Sequence, residues 1–148
     1  MMDTEFAAHL DPVNMISSPM RFFGSGDFLR ECFAKLGPYI KTCHGKDVAL
    51  AGRLTVHLDE VRPGLGGLDY HTFLTELDKL PADTALVLEH LSSEEDYAQA
   101  ARHVRAIASE LGIRLWGTAE SGRLKPRQQN HKTCLRRLRG PNKIPVLG

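Results

Sequence analysis

Several classes of protein are set aside by what this sequence has little of. It holds three cysteines, Cys32, Cys43 and Cys134, an odd number with no C-x-x-C spacing. That argues against a disulfide framework or a zinc knuckle and fits a reducing compartment. Cys32 and Cys43 are expected to act as small buried hydrophobes. No apolar run approaches the roughly 20 residues that a membrane helix needs. The opening MMDTEFAAHL has no basic stretch followed by an apolar one, so no secretory signal is legible and a cytoplasmic location is expected.

What is present is the composition of a globular domain. The chain has 148 residues, 42% hydrophobic and 25% charged, enough for one ordinary core. Its net charge of +1 conceals an asymmetry. From Gly117 onward there are eight cations (Arg123, Lys125, Arg127, Lys132, Arg136, Arg137, Arg139 and Lys143) against the single acid Glu120. That +7 leaves −6 on residues 1–116. An acidic body, 1–116, is therefore followed by a basic tail, 117–148. The tail shows no periodicity beyond the short CLRRLR and is expected to be disordered. Its cations lack interleaved aromatics, so they suit phosphates or an acidic partner more than base readout.

The body alternates strand and helix. Phe6 to Leu10 reads as a short apolar strand ended by Asp11-Pro12, because Pro12 has no N–H for a ladder. Phe28, Leu29, Cys32, Phe33 and Leu36 fall at helical spacing, with Ser25 or Asp27 as cap and Gly37-Pro38 as stop. Tyr39 to Cys43 is the second strand. An excursion follows, with alternation at Leu54–Leu58 and turn chemistry in Pro63-Gly64-Leu65-Gly66-Gly67. Phe73, Leu74, Leu77 and Leu80 mark a helix capped by Asp69. Thr84 to Leu88 is the third strand. Ser92 with Glu95 reads as a capping box for the longest helix, whose buried stripe is Tyr97, Ala101, Val104, Ala108 and Leu111. Gly112 suits that helix's left-handed end.

Such alternation implies an α/β fold of parallel βα units with right-handed crossovers. In these folds the chemistry lies beyond the C-terminal ends of the strands. Three titratable residues stand there: Asp11, His44 and Glu89. Each also fits a plain turn or cap. Together they make a ligand set suited to a divalent metal (Mn²⁺, Mg²⁺, Co²⁺ or Zn²⁺) at one mouth of the sheet.

Four stretches carry a resemblance: HLDPVN, CHGKD, RPGLGGLDYHTFLTEL and LVLEHLSSEEDYAQAARHVRAIASELGI. Over roughly residues 5 to 114 the chain resembles the closing part of the sugar phosphate isomerase/epimerase family, the xylose isomerase-like TIM barrels. The resemblance implies the last three βα units of a (β/α)8 barrel. Asp11, His44 and Glu89 are then the metal ligands of its sixth, seventh and eighth strands. It implies further that Glu89 is one of two carboxylates that move a proton between adjacent carbons of a keto sugar or sugar phosphate.

The chain departs from that pattern in two ways. A full barrel has eight strands and about 250 residues. Here five units and the first metal-binding Glu are not seen, so the expectation is a barrel fragment, inactive alone, that self-associates or pairs with an N-terminal half. If the chain does turn over a sugar, Glu60 or Asp47 is the first candidate for the missing acid. The basic tail is also foreign to the family. The alternative is a non-enzymatic partial barrel whose tail binds nucleic acid or an acidic partner. A DNA-repair endonuclease on the same barrel would need more His ligands than are offered.

Four further residues complete the expected site. Lys46, in the H-x-K-D motif, would steady a substrate oxyanion or the Glu89 carboxylate, or else pair with Asp47. Asn14 is a substrate contact or a turn cap. Arg62 would meet a substrate oxygen or phosphate, or else lie in solvent. His9 shares a strand face with Asp11 and is expected behind it or in the core. His90 is expected to point away from Glu89.

Overall fold

A computed structural model describes residues 7–117 and 133–137. Three parallel strands set the frame: β1 (Ala8–Leu10), β2 (Ile40–His44) and β5 (Ala85–Leu88). Between β1 and β2 run α1 (Pro19–Phe23) and α2 (Ser25–Leu36). Between β2 and β5 come a hairpin, β3 (Asp47–Ala51) with β4 (His57–Val61), and then α3 (Tyr70–Asp78). After β5 the chain forms α4 (Glu94–Glu110) and β6 (Leu115–Gly117), and β7 (Thr133–Arg137) follows. The five-stranded sheet has the order β1-β2-β5-β7-β6.

The fold is thus α/β with a mixed sheet that is not closed into a barrel. The three parallel strands fall within a residue or two of the segments read from sequence. β7 does not match its expectation. Residues 133–137 of the basic tail are ordered as a strand antiparallel to both β5 and β6. The cause is the open edge of β5, whose N–H and C=O groups need partners. Leu135 supplies an apolar anchor and is completely buried in the core. The rest of the tail, 118–132 and 138–148, and the Phe6 start of the first strand lie outside the described residues.

The core joins sheet to helices. Leu10, Cys43, Leu86 and Leu88 from the strands meet Leu29 and Phe33 of α2, Phe73 and Leu74 of α3, and Ala101 and Val104 of α4. Both Cys32 and Cys43 are buried within it. Leu111 is exposed instead, because α4 ends one residue before it and the stripe stops at Ala108. The α4 cap lies one residue later than read: Ser93 Oγ accepts from Asp96 N at 3.1 Å and donates to Asp96 Oδ2 at 2.9 Å. Both serines precede an acid by three residues, so sequence alone left the register open. Asp69 does cap α3, accepting from Thr72 N at 2.9 Å. Ser25 caps nothing, since Gly24 is the N-cap of α2; its hydroxyl accepts from Asp69 N at 3.1 Å and so ties α2 to α3. Among the described residues no helix is long and apolar enough to cross a membrane.

Candidate metal centre

Strand register brings the three expected ligands together. Leu10 pairs with Cys43, so Asp11 emerges beside His44. His44 pairs with Val87, and Glu89 follows two residues on. One ligand atom from each of Asp11, His44 and Glu89 lies within 4.8 Å of the others. His44 Nδ1 is 2.9 Å from Glu89 Oε1 and 3.1 Å from Asp11 Oδ2. Ligand atoms about 2.1 Å from one ion in an octahedral array stand about 3.0 Å apart, so these separations fit a divalent metal. The same geometry serves equally as an imidazole hydrogen-bonded between two carboxylates.

Asp11 and His44 are braced by neighbours outside the cluster. Asn14, in a 3-10 turn after β1, donates to Asp11 twice: from Nδ2 to Oδ2 at 2.9 Å and from its backbone N–H to Oδ1 at 3.3 Å. Turn capping is therefore a role that Asn14 fills, while its exposed side chain stands near the mouth. His9 bonds Thr42 Oγ1 and sets its ring edge-on against His44. It is a neighbour of the cluster rather than a core histidine, and it remains exposed. Glu89 is 5% exposed.

Lys46 binds the cluster to the hairpin. Only 3% exposed, its ammonium is 3.1 Å from Asp11 Oδ2 and 3.2 Å from Glu60 Oε2. Burial pulls the Lys46 pKa down, but the hydrogen bonds to Asp11 and Glu60 outweigh it, so the group titrates above its ordinary value and stays charged. At Asp11 burial acts to raise the pKa, and the hydrogen bonds from His44, Lys46 and Asn14 win, leaving a net lowering. The backbone of Lys46 is fixed as well. Tyr70 of α3, its own phenol pushed well above the usual range by burial, donates to Lys46 O at 2.8 Å.

Asp47 takes no part in pairing Lys46. Its carboxylate is 1% exposed and accepts four backbone N–H groups, from Val48, Gly64, Gly66 and Leu68, at 2.9 to 3.1 Å. It is the clamp of the Pro-Gly loop. Gly66 lies so close that a Cβ there would collide with the Asp47 carboxylate, and Gly64 has a φ of +92°.

Arg62 lies apart from the three ligands. It lines a cleft of about 280 Å³ with Glu60, Leu65, His90, Leu91 and Asp96. Its Nη1 donates to Pro63 O at 3.1 Å, and its Nε, 3.5 Å from Asp96 Oδ1, makes no hydrogen bond among the described residues. His90 differs from expectation. Strand alternation ends at Leu88, and His90 takes a left-handed φ of 60°. Its ring turns toward the site, with Nε2 3.6 Å from Glu89 Oε1 and Nδ1 3.8 Å from Glu60 Oε1. Histidine tolerates this backbone region better than most residues, which was the one signal available in the sequence.

Comparison with protein-family models, with curated proteins and with solved structures finds no match.

Proposed function

We propose that this chain is the C-terminal part of a divalent-metal-dependent isomerase or epimerase acting on a sugar or sugar phosphate. In this reading β1, β2 and β5 are three successive strands of a barrel. The observation that carries it is the convergence of Asp11, His44 and Glu89 beyond the ends of three adjacent parallel strands. One imidazole and two carboxylates form a borderline-to-hard donor set with open positions for substrate oxygens. A divalent ion held there would polarise the carbonyl and neighbouring hydroxyl of a keto sugar.

The chain's own residues supply the rest. Glu89, buried against His44, exchanges a proton with the substrate carbon. Lys46 keeps a fixed positive charge beside Asp11, suited to an oxygen that gains negative charge. Asn14 holds the Asp11 carboxylate in one orientation. Arg62, on the wall of the neighbouring cleft, offers its guanidinium to a more distant oxygen or phosphate of the same ligand. Calorimetric titration of the full chain with Mn²⁺ or Co²⁺ tests the reading. A single site is expected, lost in His44→Ala. Equal affinity in that variant would sink the assignment.

A further inference from the structure

The arginines of the body differ in how they are partnered. Arg30, Arg53, Arg62 and Arg102 each face a carboxylate, and Arg21 donates to Met15 O. The side chains of Arg105 and Arg114 make no ion pair or hydrogen bond among the described residues. Both line one cleft of about 390 Å³ between the end of α4 and β6. We propose that this cleft, with the β7 arginines beside it, is a second binding site that takes the phosphate backbone of a single-stranded nucleic acid.

The end of α4 builds the cleft. Gly112 takes a left-handed φ of +70°, and the Ile113 N–H reaches back to Ala108 O at 2.7 Å. That closure stops the helix and turns the chain at once into β6, which returns Arg114 to the neighbourhood of Arg105 and Ser109. Ala108, Ile113 and Leu115 add apolar surface between the two arginines. Among the described residues no acid lines the cleft. Glu110, next to Ser109 in the chain, is paired with His71 at 3.1 Å, and Asp78 lines a different pocket with Leu74 and Pro81.

The sheet adds charge on the same side. β6 is the outer strand, and β7 next to it places Arg137 in register with Leu115 and Arg136 with Trp116. Neighbouring strands run about 4.8 Å apart, so the backbone of Arg137 adjoins a residue of the cleft wall. Both belong to the segment from Gly117 onward that carries eight cations against one acid. The pairing of β7 with β5 and β6 thus joins the basic tail to the two unpaired arginines of the body.

The chemistry favours a chain of phosphates. All four cations gathered here are arginines, whose planar fork matches phosphate oxygens better than an ammonium does. Their spread over α4, β6 and β7 exceeds what one free anion needs and suits a repeating charge. The volume lies within the range of about 300–1,000 Å³ found for small-ligand sites, and the apolar surface can receive a sugar or a base face. Contacts of this kind hold a backbone without reading its sequence. The site is also remote from the metal centre. The 17 residues of α4, about 25 Å of helix, separate the cleft from the start of the helix near Glu89.

The test is fluorescence anisotropy of the full chain with a labelled single-stranded oligo-dT of about 12 nucleotides, over a range of salt. Wild type should bind at about 50 mM salt, and log Kd should rise with log salt by about 0.7 per phosphate contact. Arg105→Gln combined with Arg114→Gln should bind about tenfold more weakly and lose about 1.4 from that slope, with an unchanged Tm. Arg114→Gln alone, at an exposed position, should lose about 0.7 and serves if the double variant is unstable. Wild-type affinity and slope in these variants overturn the inference, because the tail alone would then carry binding. No binding by wild type overturns it as well and leaves the arginines as charges that keep the outer strand from pairing. Equal displacement of the oligonucleotide by poly-L-glutamate or by phosphatidylglycerol vesicles at matched charge overturns the choice of ligand and assigns the cleft to an acidic protein or a lipid surface.

Discussion

The ammonium of Lys46 lies 3.1 Å from Asp11 Oδ2, so the first carboxylate of the cluster carries its own counter-charge. The same ammonium reaches Glu60. A buried cation between two carboxylates both stabilises them and competes with any other cation that approaches.

Lys46→Met tests that competition. The change keeps the stem and removes the charge, leaving Asp11 and Glu60 to repel. Breaking a buried pair costs about 3–5 kcal/mol, and partial exposure of Glu60 puts the expected loss near about 3 kcal/mol. Added Mn²⁺ takes over the lost charge, so its stabilising shift in Tm should be larger in the variant than in wild type. Equal shifts would show that the metal does not meet Asp11.

Much of this site was legible because it follows from strand ends. Asp11, His44 and Glu89 each close a short apolar run, and parallel pairing does the rest. Glu60 and His90 depend on facts that periodicity does not hold. The hairpin must fold back for Glu60 to reach Lys46, 14 residues away in sequence. His90 follows the end of the strand, where alternation no longer applies, and its direction comes from a left-handed φ. β7 was illegible for a related reason. Within Thr133–Arg137 only Cys134 and Leu135 are apolar, and what orders the segment is the open edge of β5, far off in the chain.

Asp69 ties pH to stability. Burial alone would raise its pKa, but the hydrogen bonds from Thr72 N and Oγ1 prevail, so in the folded chain it lies below its ordinary 3.8. A depressed carboxyl stabilises the fold above its unfolded value, and that contribution is lost as pH falls through the folded one. Asp69→Ala should therefore cost about 1 kcal/mol near neutrality, with the gap to wild type narrowing below pH 3.8. Urea midpoints at several pH values check this. A gap that widens in acid would contradict it.

Cys43 should be silent in the native protein. Burial pushes its thiol up to about 12, so almost no thiolate exists at pH 8. Native chain treated with iodoacetamide should remain unmodified at Cys43 by peptide mass mapping, with full alkylation in guanidinium. Prompt native labelling would mean that the β2 core opens locally.

β7 departs from the expectation of a disordered tail over Thr133–Arg137. It covers the β5 edge from Ala85 to Leu88 with an antiparallel ladder and buries Leu135. A chain ended after Gly117 loses that ladder and bares a short, wholly apolar strand edge, Ala85-Leu86-Val87-Leu88, which is a template for pairing with another copy. Its Tm should fall and its mass by light scattering should rise relative to the full chain. Leu135→Ala separates side chain from backbone: it should cost about 2–5 kcal/mol through the cavity it leaves, yet keep the ladder and so raise mass less than truncation does. If the shortened chain keeps both the Tm and the mass of the full one, β7 contributes nothing to holding the sheet, and the edge of β5 is protected by some other part of the molecule.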